Sequence, residues 1–186
     1  MAQRIKMAKD VRIHPEPLLD VRPVDKGRLE EIADLMLNAY RNTPDYEGEN
    51  RIDALREISM LFRGLYGDLM NEASFMILDE HEAIVSCLFI CSFRGEPTLT
   101  YLFTGRDHLR KGLAKALIQS GESALALSGH QKLYLYVNTE NHPALSLYQK
   151  IGFEEVPLSN RPLAPEIKEE LQEVDLLLEE GSRTTP

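Results

Sequence analysis

Apolar residues recur along this chain with two spacings, and the order of these spacings predicts an order of helices and strands. Helical spacing, with apolar residues three and four positions apart, occupies residues 29–40, 52–66, 113–128 and 142–151. Runs typical of strands occupy residues 18–23, 74–79, 83–91, 98–104, 132–137 and 153–156. The predicted order is β-α-α-β-β-β-α-β-α-β, which indicates one mixed α/β domain over residues 18–156.

The two ends of the chain carry weaker patterns. Residues 1–17 include several basic residues with little periodicity, and we interpret them as an N-terminal arm that is mobile or packed on an edge. Residues 157–186 begin with a proline-containing link and continue as an acidic amphipathic helix. Its apolar stripe is formed by Ile167, Leu171, Val174 and Leu178. We expect this helix to pack on its own domain, with a partner subunit as the alternative.

Candidate chemistry lies where the strand of residues 98–104 meets the helix that begins near residue 113. This strand, the helix and the strand of residues 132–137 imply a right-handed crossover and a parallel pair, with ligands at the carboxyl ends. The turn between them carries Arg106, Arg110, Lys111 and Gly112. Unpaired N–H groups and the helix dipole favour an anion at the helix start, and the small residues Gly112 and Ala114 allow the anion to approach the backbone closely. The turn therefore predicts a phosphate site, the alternative being an ordinary helix start that binds nothing.

Two motifs stand at opposite ends of this part of the chain. The turn reads Leu109-Arg110-Lys111-Gly112-Leu113-Ala114, and further on stand Asn141, Ala144, Leu147-Tyr148 and Gly152-Phe153. In this order and spacing they resemble the cofactor-binding half of the GNAT superfamily of N-acetyltransferases. Leu109 departs from the family pattern, since arginine or glutamine is usual there. The resemblance implies a central twisted mixed β-sheet with a splayed parallel strand pair, helices on both faces, and acetyl-CoA as cosubstrate.

The resemblance also assigns roles to individual residues. It implies that Tyr148 and Asn141 are catalytic: the Tyr148 phenol donates to the departing sulfur, and Asn141 contacts the cofactor arm besides capping its helix. The alternative for Tyr148 is a core aromatic with a satisfied hydroxyl. The residues implied in cofactor binding are Phe103, Thr104, Leu109, Arg110, Lys111, Gly112, Leu113, Ala114, Lys115, Asn141, Ala144 and Tyr148.

The acceptor site and the general base are less defined. The loop of residues 42–50 is acidic, and the resemblance places this region beside the acceptor. The candidate substrate-binding residues are Asp45, Tyr46 and Glu47, unless the loop is merely solvated. The strand of residues 98–104 carries no carboxylate, so Glu96, the acidic loop or a chain of water molecules remain open as the base.

We therefore expect an acetyl-CoA-dependent N-acetyltransferase in which a primary amine, on a small molecule or a peptide, attacks the thioester directly. The alternative is a catalytically inactive sensor or interaction module that binds acyl-CoA, which the missing strand carboxylate favours. A nucleotide-phosphate-binding protein would explain the basic turn but not the later motif, and the turn lacks the spacing of a P-loop.

Composition and charge restrict the partners and the compartment. The formal net charge of −9 argues against nonspecific binding to nucleic acid. No apolar run approaches the ~18 residues of a membrane span, and the N-terminus lacks the apolar core of a signal peptide, so we expect a cytoplasmic protein. Cysteines and histidines lack metal-ligand spacing, and His14, His81 and His130 are predicted at the surface. A monomer or a homodimer is expected.

Overall fold

The elements of the chain lie close to those that the apolar spacing predicts. The computed structural model describes residues 3–41, 43 and 45–158. Its strands are β1 (Arg4–Asp10), β2 (Val21–Pro23), β3 (Asp68–Leu69), β4 (Phe75–Leu78), β5 (Ile84–Phe93), β6 (Glu96–Thr104), β7 (Lys132–Asn138) and β8 (Glu154–Val156). Its helices are α1 (Leu29–Tyr40), α2 (Arg51–Phe62), α3 (Leu113–Leu127) and α4 (His142–Lys150). The described residues end at Leu158, so the acidic helix predicted within residues 157–186 lies outside them.

The described strands form one mixed sheet in the order β2-β4-β5-β6-β7-β1-β8, and β3 pairs with β5. Only β6 and β7 are parallel, and all other neighbours in the described sheet are antiparallel. Side chains that alternate along β5 serve both faces. Leu88 and Ile90 join a core with α3 and α4, whereas Cys87 and Phe89 join a core with α1 and α2. The predicted mixed sheet with helices on both faces is confirmed.

The N-terminal residues differ from the arm expected over residues 1–17. Strand β1 lies inside the sheet, antiparallel to both β7 and β8, and the Met7 side chain is only 1% exposed. Lysines obscured the strand pattern, because they occupy positions that the fold covers. Lys6 is 3% exposed and reaches Glu96 at 2.5 Å, so an ion pair satisfies a charge that the sequence pattern assigns to solvent.

A buried ion cluster ties the N-terminal segment to α3. The Glu122 side chain is fully buried on α3, and its carboxylate contacts the Lys9 Nζ atom at 2.5 Å and the His14 imidazole. The His14 backbone N–H also donates to Ser123 Oγ. The prediction of a surface position was therefore wrong for His14, because a carboxylate on a distant helix supplies the partner that burial of an imidazole requires.

Candidate active site

Strands β6 and β7 contact each other over two residue pairs and then diverge. The pairs are Thr98 with Tyr134 and Leu99 with Leu135, while β6 runs on to Thr104. A bulge lies where they part, since Ile90 of β5 opposes Leu99 and the preceding Phe89 opposes Tyr101, which leaves Thr100 unpaired in register. Bulges bend a strand and increase its local twist. The splayed parallel pair is confirmed, and in the described chain no strand pairs with β6 on this side beyond Leu99.

A cleft of about 530 Å³ opens beside the point of divergence. Its walls include Thr98 to Thr100 of β6, Tyr136 of β7 and, from outside the pair, Arg4, Tyr66 and Arg94. The cleft therefore reaches both β6 and the Tyr66 side chain, which follows α2, and it gives a small molecule access to the gap between the strands.

Helix α3 begins at this edge with an uncapped first turn. Gly112 is its N-cap residue, no side chain accepts from the first N–H groups, and the turn contains no acidic residue. By contrast, Asn50 caps α2 by accepting from the N–H groups of Ile52 and Asp53. Open N–H groups and the helix dipole make the start of α3 a favourable place for an anion. The arrangement fits a phosphate-bearing ligand such as coenzyme A.

The turn before α3 has a left-handed backbone at two positions. Arg110 has φ +61° and Gly112 has φ +77°, and the left-handed conformation is costly for arginine. The Arg110 and Lys111 side chains are exposed beside the helix start, and Leu109 is 55% exposed. Leu113 is buried, so only its backbone faces a ligand. Of the other residues implied in cofactor binding, Lys115 is exposed and Ala114 is half-buried.

Helix α4 begins at the same edge, after β7, and its cap joins the acidic loop to the site. Asn141 accepts from the Ala144 N–H at 3.2 Å, which confirms the predicted N-cap, and its amide donates to Asp45 Oδ2 at 2.5 Å. The other two loop candidates bond within their own loop: Tyr46 donates to the Glu49 carbonyl, and the Glu47 N–H donates to the Glu49 carboxylate. The structure thus brings Asp45, and not Tyr46 or Glu47, into contact with the predicted site residues.

Tyr148 lies on the inner face of α4, where its ring packs edge-to-face on Phe153 with centroids 5.7 Å apart. The residue is 9% exposed, yet no described residue forms a hydrogen bond with its hydroxyl. Burial, with a smaller contribution from the Asp45 charge, raises the pKa of Tyr148 to about 12. The phenol therefore stays protonated near neutral pH and has a proton to donate.

A second phenol lies in this region that the apolar spacing does not reveal as a site residue. Tyr40 ends α1, within the helical spacing of residues 29–40, and it packs against Phe103 of β6 with ring centroids 6.3 Å apart. Burial raises its pKa, and the nearby Tyr148 and Asp45 raise it further. No local signal distinguishes it, since an aromatic residue on an apolar helix face is ordinarily a core residue.

The two residues of β6 that are implied in cofactor binding, Phe103 and Thr104, form contacts with β5 and with the core. Phe103 is buried in the core beneath α1 and α2, and its carbonyl accepts from Ser86 Oγ. The Thr104 hydroxyl lies 2.7 Å from the same Ser86 oxygen. The Phe103 carbonyl and the Thr104 hydroxyl are thereby engaged on the β5 side of the strand, and the backbone on the side toward the gap has no strand partner among the described residues.

Within the described residues, no helix is long and apolar enough to cross a membrane. The same part of the chain holds no group of three or more His, Cys, Asp or Glu side chains arranged to hold a metal ion.

Residues 31–153 match the model of the acetyltransferase (GNAT) family, which is about two thirds of the chain, and the protein belongs to this family. It is 26% identical over 140 residues to spermidine N(1)-acetyltransferase of Vibrio cholerae, covering 74% of this chain and 79% of the relative. A second relative, mycothiol acetyltransferase of Clavibacter sepedonicus, is 37% identical over 59 residues, or 32% of this chain. The match spans only 19% of that relative's length.

The fold is shared with a solved family member. The PaiA N-acetyltransferase from Thermoplasma acidophilum, determined in complex with coenzyme A, superposes with a TM-score of 0.61 at 17% identity. The superposition covers 77% of this chain and 94% of that protein. At this identity the likeness establishes the fold alone.

Proposed function

We propose that the protein transfers an acetyl group from acetyl-CoA to a primary amine by direct attack of the amine on the thioester. One observation carries the proposal: the edge where β6 and β7 diverge holds both an uncapped helix start and α4 with its buried phenol. Anion binding and proton donation are the two functions that coenzyme A release requires from the protein. Membership of the family supports the same reaction class.

The start of α3 and the unpaired side of β6 suit two different parts of coenzyme A, the pyrophosphate and the pantetheine arm. The N–H groups at Gly112 to Ala114, flanked by Arg110 and Lys111, bind the pyrophosphate. The unpaired side of β6 near Phe103 and Thr104 pairs with the pantetheine amides as an added strand would. Since backbone groups supply both contacts, leucine at position 109 is compatible with binding.

Tyr148 stabilises the departing thiolate by a hydrogen bond. Its pKa of about 12 exceeds the thiol value of about 8.5, so complete proton transfer to sulfur would be unfavourable by roughly 5 kcal/mol. A phenol that stays neutral still donates a strong hydrogen bond to developing negative charge. The amide of Asn141 contributes by capping α4 and holding Asp45, and it thereby fixes the helix that carries Tyr148.

The acceptor is a primary amine on a small molecule or a peptide. Asp45 brings a carboxylate to the site and favours a cationic acceptor. The Vibrio relative is named for spermidine, which makes a polyamine a rational first acceptor to test here.

The alternative, an inactive module that binds acyl-CoA, rests on one observation. Glu96 is the only carboxylate on β6, and Lys6 contacts it at 2.5 Å, so it is not a free base. Thiol release from acetyl-CoA, measured with spermidine, lysine methyl ester and an alanine-terminated peptide, separates the two functions. Acceptor-dependent release establishes the transferase. Calorimetric binding of acetyl-CoA without release from any acceptor supports the module, and absence of binding refutes both.

Substitution of Tyr148 by phenylalanine tests the assigned phenol. We expect turnover to fall at least tenfold, as loss of a proton donor typically costs more than that, while the Kd for acetyl-CoA changes by less than a few-fold. Tyr134→Phe is the matched control, because Tyr134 lies on β7 under the Lys6 ammonium, 4.6 Å from its ring centroid, and not on α4. Equal turnover in wild type and Tyr148→Phe would remove Tyr148 from the mechanism.

A further inference from the structure

A carboxylate outside the sequence motifs lies beside the cleft. Glu57 is on α2, and its Oε1 atom accepts hydrogen bonds from the phenols of both Tyr66 and Tyr101. The two rings meet edge-to-face with centroids 6.0 Å apart. We call these three residues the carboxylate–phenol cluster. Among the described residues Glu57 forms no salt bridge, so its negative charge is shared only with neutral donors.

The bulge in β6 brings the cluster together. Leu99 belongs to the core beneath α3, and in a regular strand a residue two positions later would face the same way. The extra residue Thr100 reverses this alternation, so Tyr101 faces α2 instead. The same irregularity that starts the divergence of β6 and β7 therefore directs a phenol to Glu57.

The cluster has one end open to the cleft. Tyr66 lines the cleft together with the β6 residues Thr98 to Thr100, whereas Tyr101 lies on the strand behind it. The groups that titrate around Glu57 are Tyr66, Tyr101 and, from α1, Tyr40. Burial, and after it the Glu57 carboxylate, raises the pKa of both bonded tyrosines, so each remains a neutral donor. Two cationic side chains, Arg4 and Arg94, also line the cleft, but among the described residues neither forms a salt bridge with Glu57.

The other carboxylates near the gap are engaged. Lys6 holds Glu96 at 2.5 Å, and the Asn141 amide holds Asp45 at 2.5 Å. Glu57 differs from both, because its partners are hydroxyl groups that accept a proton at the oxygen atom while they donate one. It is therefore the carboxylate best arranged to receive a proton from a group in the cleft.

We propose that Glu57, acting through the phenol of Tyr66, takes the proton that the acceptor amine releases as the new C–N bond forms. The proposal rests on the transferase function proposed above. When the neutral amine attacks, its nitrogen becomes positively charged and its N–H groups become strongly acidic. One of them passes to the Tyr66 oxygen while the Tyr66 proton passes to Glu57. The C–S bond then breaks, the electron pair leaves with the sulfur, and Glu57 returns its proton to solvent.

In this scheme Tyr66 is the catalytic residue, since its phenol contacts the amine. Glu57 positions that phenol and accepts the proton that the phenol gives up. Tyr101 supplies the second hydrogen bond and keeps the carboxylate oriented. The phenol of Tyr66 holds one proton before and after transfer, so no phenolate is formed, in accord with its raised pKa.

The test is the pH profile of kcat/KM, measured with acetyl-CoA and the acceptor that releases most thiol among spermidine, lysine methyl ester and the alanine-terminated peptide. We expect Glu57→Gln to lower kcat at least tenfold and to make the acid limb of the profile less steep, because only the ionisation of the acceptor amine then remains in it. Glu57→Asp should restore part of both. The control Glu80→Gln removes the same charge from an 86% exposed side chain and should change neither. Calorimetric affinity for acetyl-CoA should stay within a few-fold in all three variants.

If Glu57→Gln is unstable, Tyr66→Phe tests the same relay, and it should lower kcat and make the acid limb less steep in the same way. An active wild-type protein whose profile is unchanged in Glu57→Gln and Tyr66→Phe overturns the relay and leaves the transferase function standing. A wild-type protein without release from any acceptor overturns both proposals.

Discussion

Replacement of Gly112 by alanine separates the two roles that the start of α3 can have. Gly112 has φ +77°, a conformation that costs an L-residue about 1–2 kcal/mol. No described atom lies within 4 Å of the added Cβ, so no steric overlap increases this cost. Reduced entropy of the unfolded chain offsets part of it. We expect a net loss of about 1 kcal/mol in the free energy of unfolding, or about 2–4 °C in Tm for a chain of this length.

The effect on the cosubstrate should be larger than the effect on stability. A methyl group over the first turn of α3 holds a phosphate away from the open N–H groups. Loss of one hydrogen bond to a charged group costs about 1.5–3 kcal/mol, which corresponds to a roughly ten- to hundredfold weaker Kd. Isothermal titration calorimetry with acetyl-CoA measures this change directly, and thermal unfolding of the same samples measures the stability.

Gly129→Ala is the matched control, because Gly129 follows the other end of α3 with φ +86° and equally open surroundings. Its stability should fall as much as that of Gly112→Ala, while its Kd for acetyl-CoA stays at the wild-type value. Equal affinities in the two variants would refute the phosphate site and leave Gly112 a purely conformational residue.

Three substitutions test the packing that supports the site, each by urea unfolding. Met7→Ala should cost about 2–5 kcal/mol, since the side chain is 1% exposed inside the sheet; a loss below 1 kcal/mol would mean that β1 is dispensable. Glu122→Gln should cost about 3–5 kcal/mol by leaving a buried lysine without its charge partner, and wild-type stability would contradict the ion cluster. Gly67→Ala should cost more than about 2 kcal/mol, because its φ is +94° and the new Cβ would lie 2.2 Å from the Ser92 carbonyl oxygen; wild-type stability would contradict this geometry.

The elements with a single clear period could be predicted from the sequence. Helices α1 to α4 and strands β4 to β7 follow their apolar spacing to within a few residues, since each buries one continuous face. Strand β1 could not, because Lys6 and Lys9 occupy covered positions that only distant carboxylates on β6 and α3 make tolerable. The partner of a buried charge is set by tertiary structure, which spacing along the chain does not contain.

The candidate site likewise contains some residues that could be predicted from the sequence and others that could not. Asn141 was predicted as an N-cap and Tyr148 as an inward-facing residue of α4, because helical geometry fixes both locally. The cluster around Glu57 depends on one extra residue, Thr100, that reverses the facing of Tyr101. A one-residue slip of this kind leaves the apolar composition of a strand unchanged and is therefore invisible to periodicity.

The unexpected position of β1 also decides which carboxylate can act as a base. If the N-terminal residues lay outside the sheet as an arm, Glu96 would be an unpaired carboxylate on the strand that lines the gap. It would then be the natural candidate for the general base. Because β1 lies beside β7, Lys6 reaches across the strand pair, contacts Glu96 at 2.5 Å and lies 4.6 Å from the centroid of the Tyr134 ring. The ion pair occupies the Glu96 carboxylate, which is then not available to a group in the gap. The insertion of β1 thus engages the carboxylate that the strand sequence offers, and the relay proposed above assigns the role to a carboxylate on α2 whose partners are phenols.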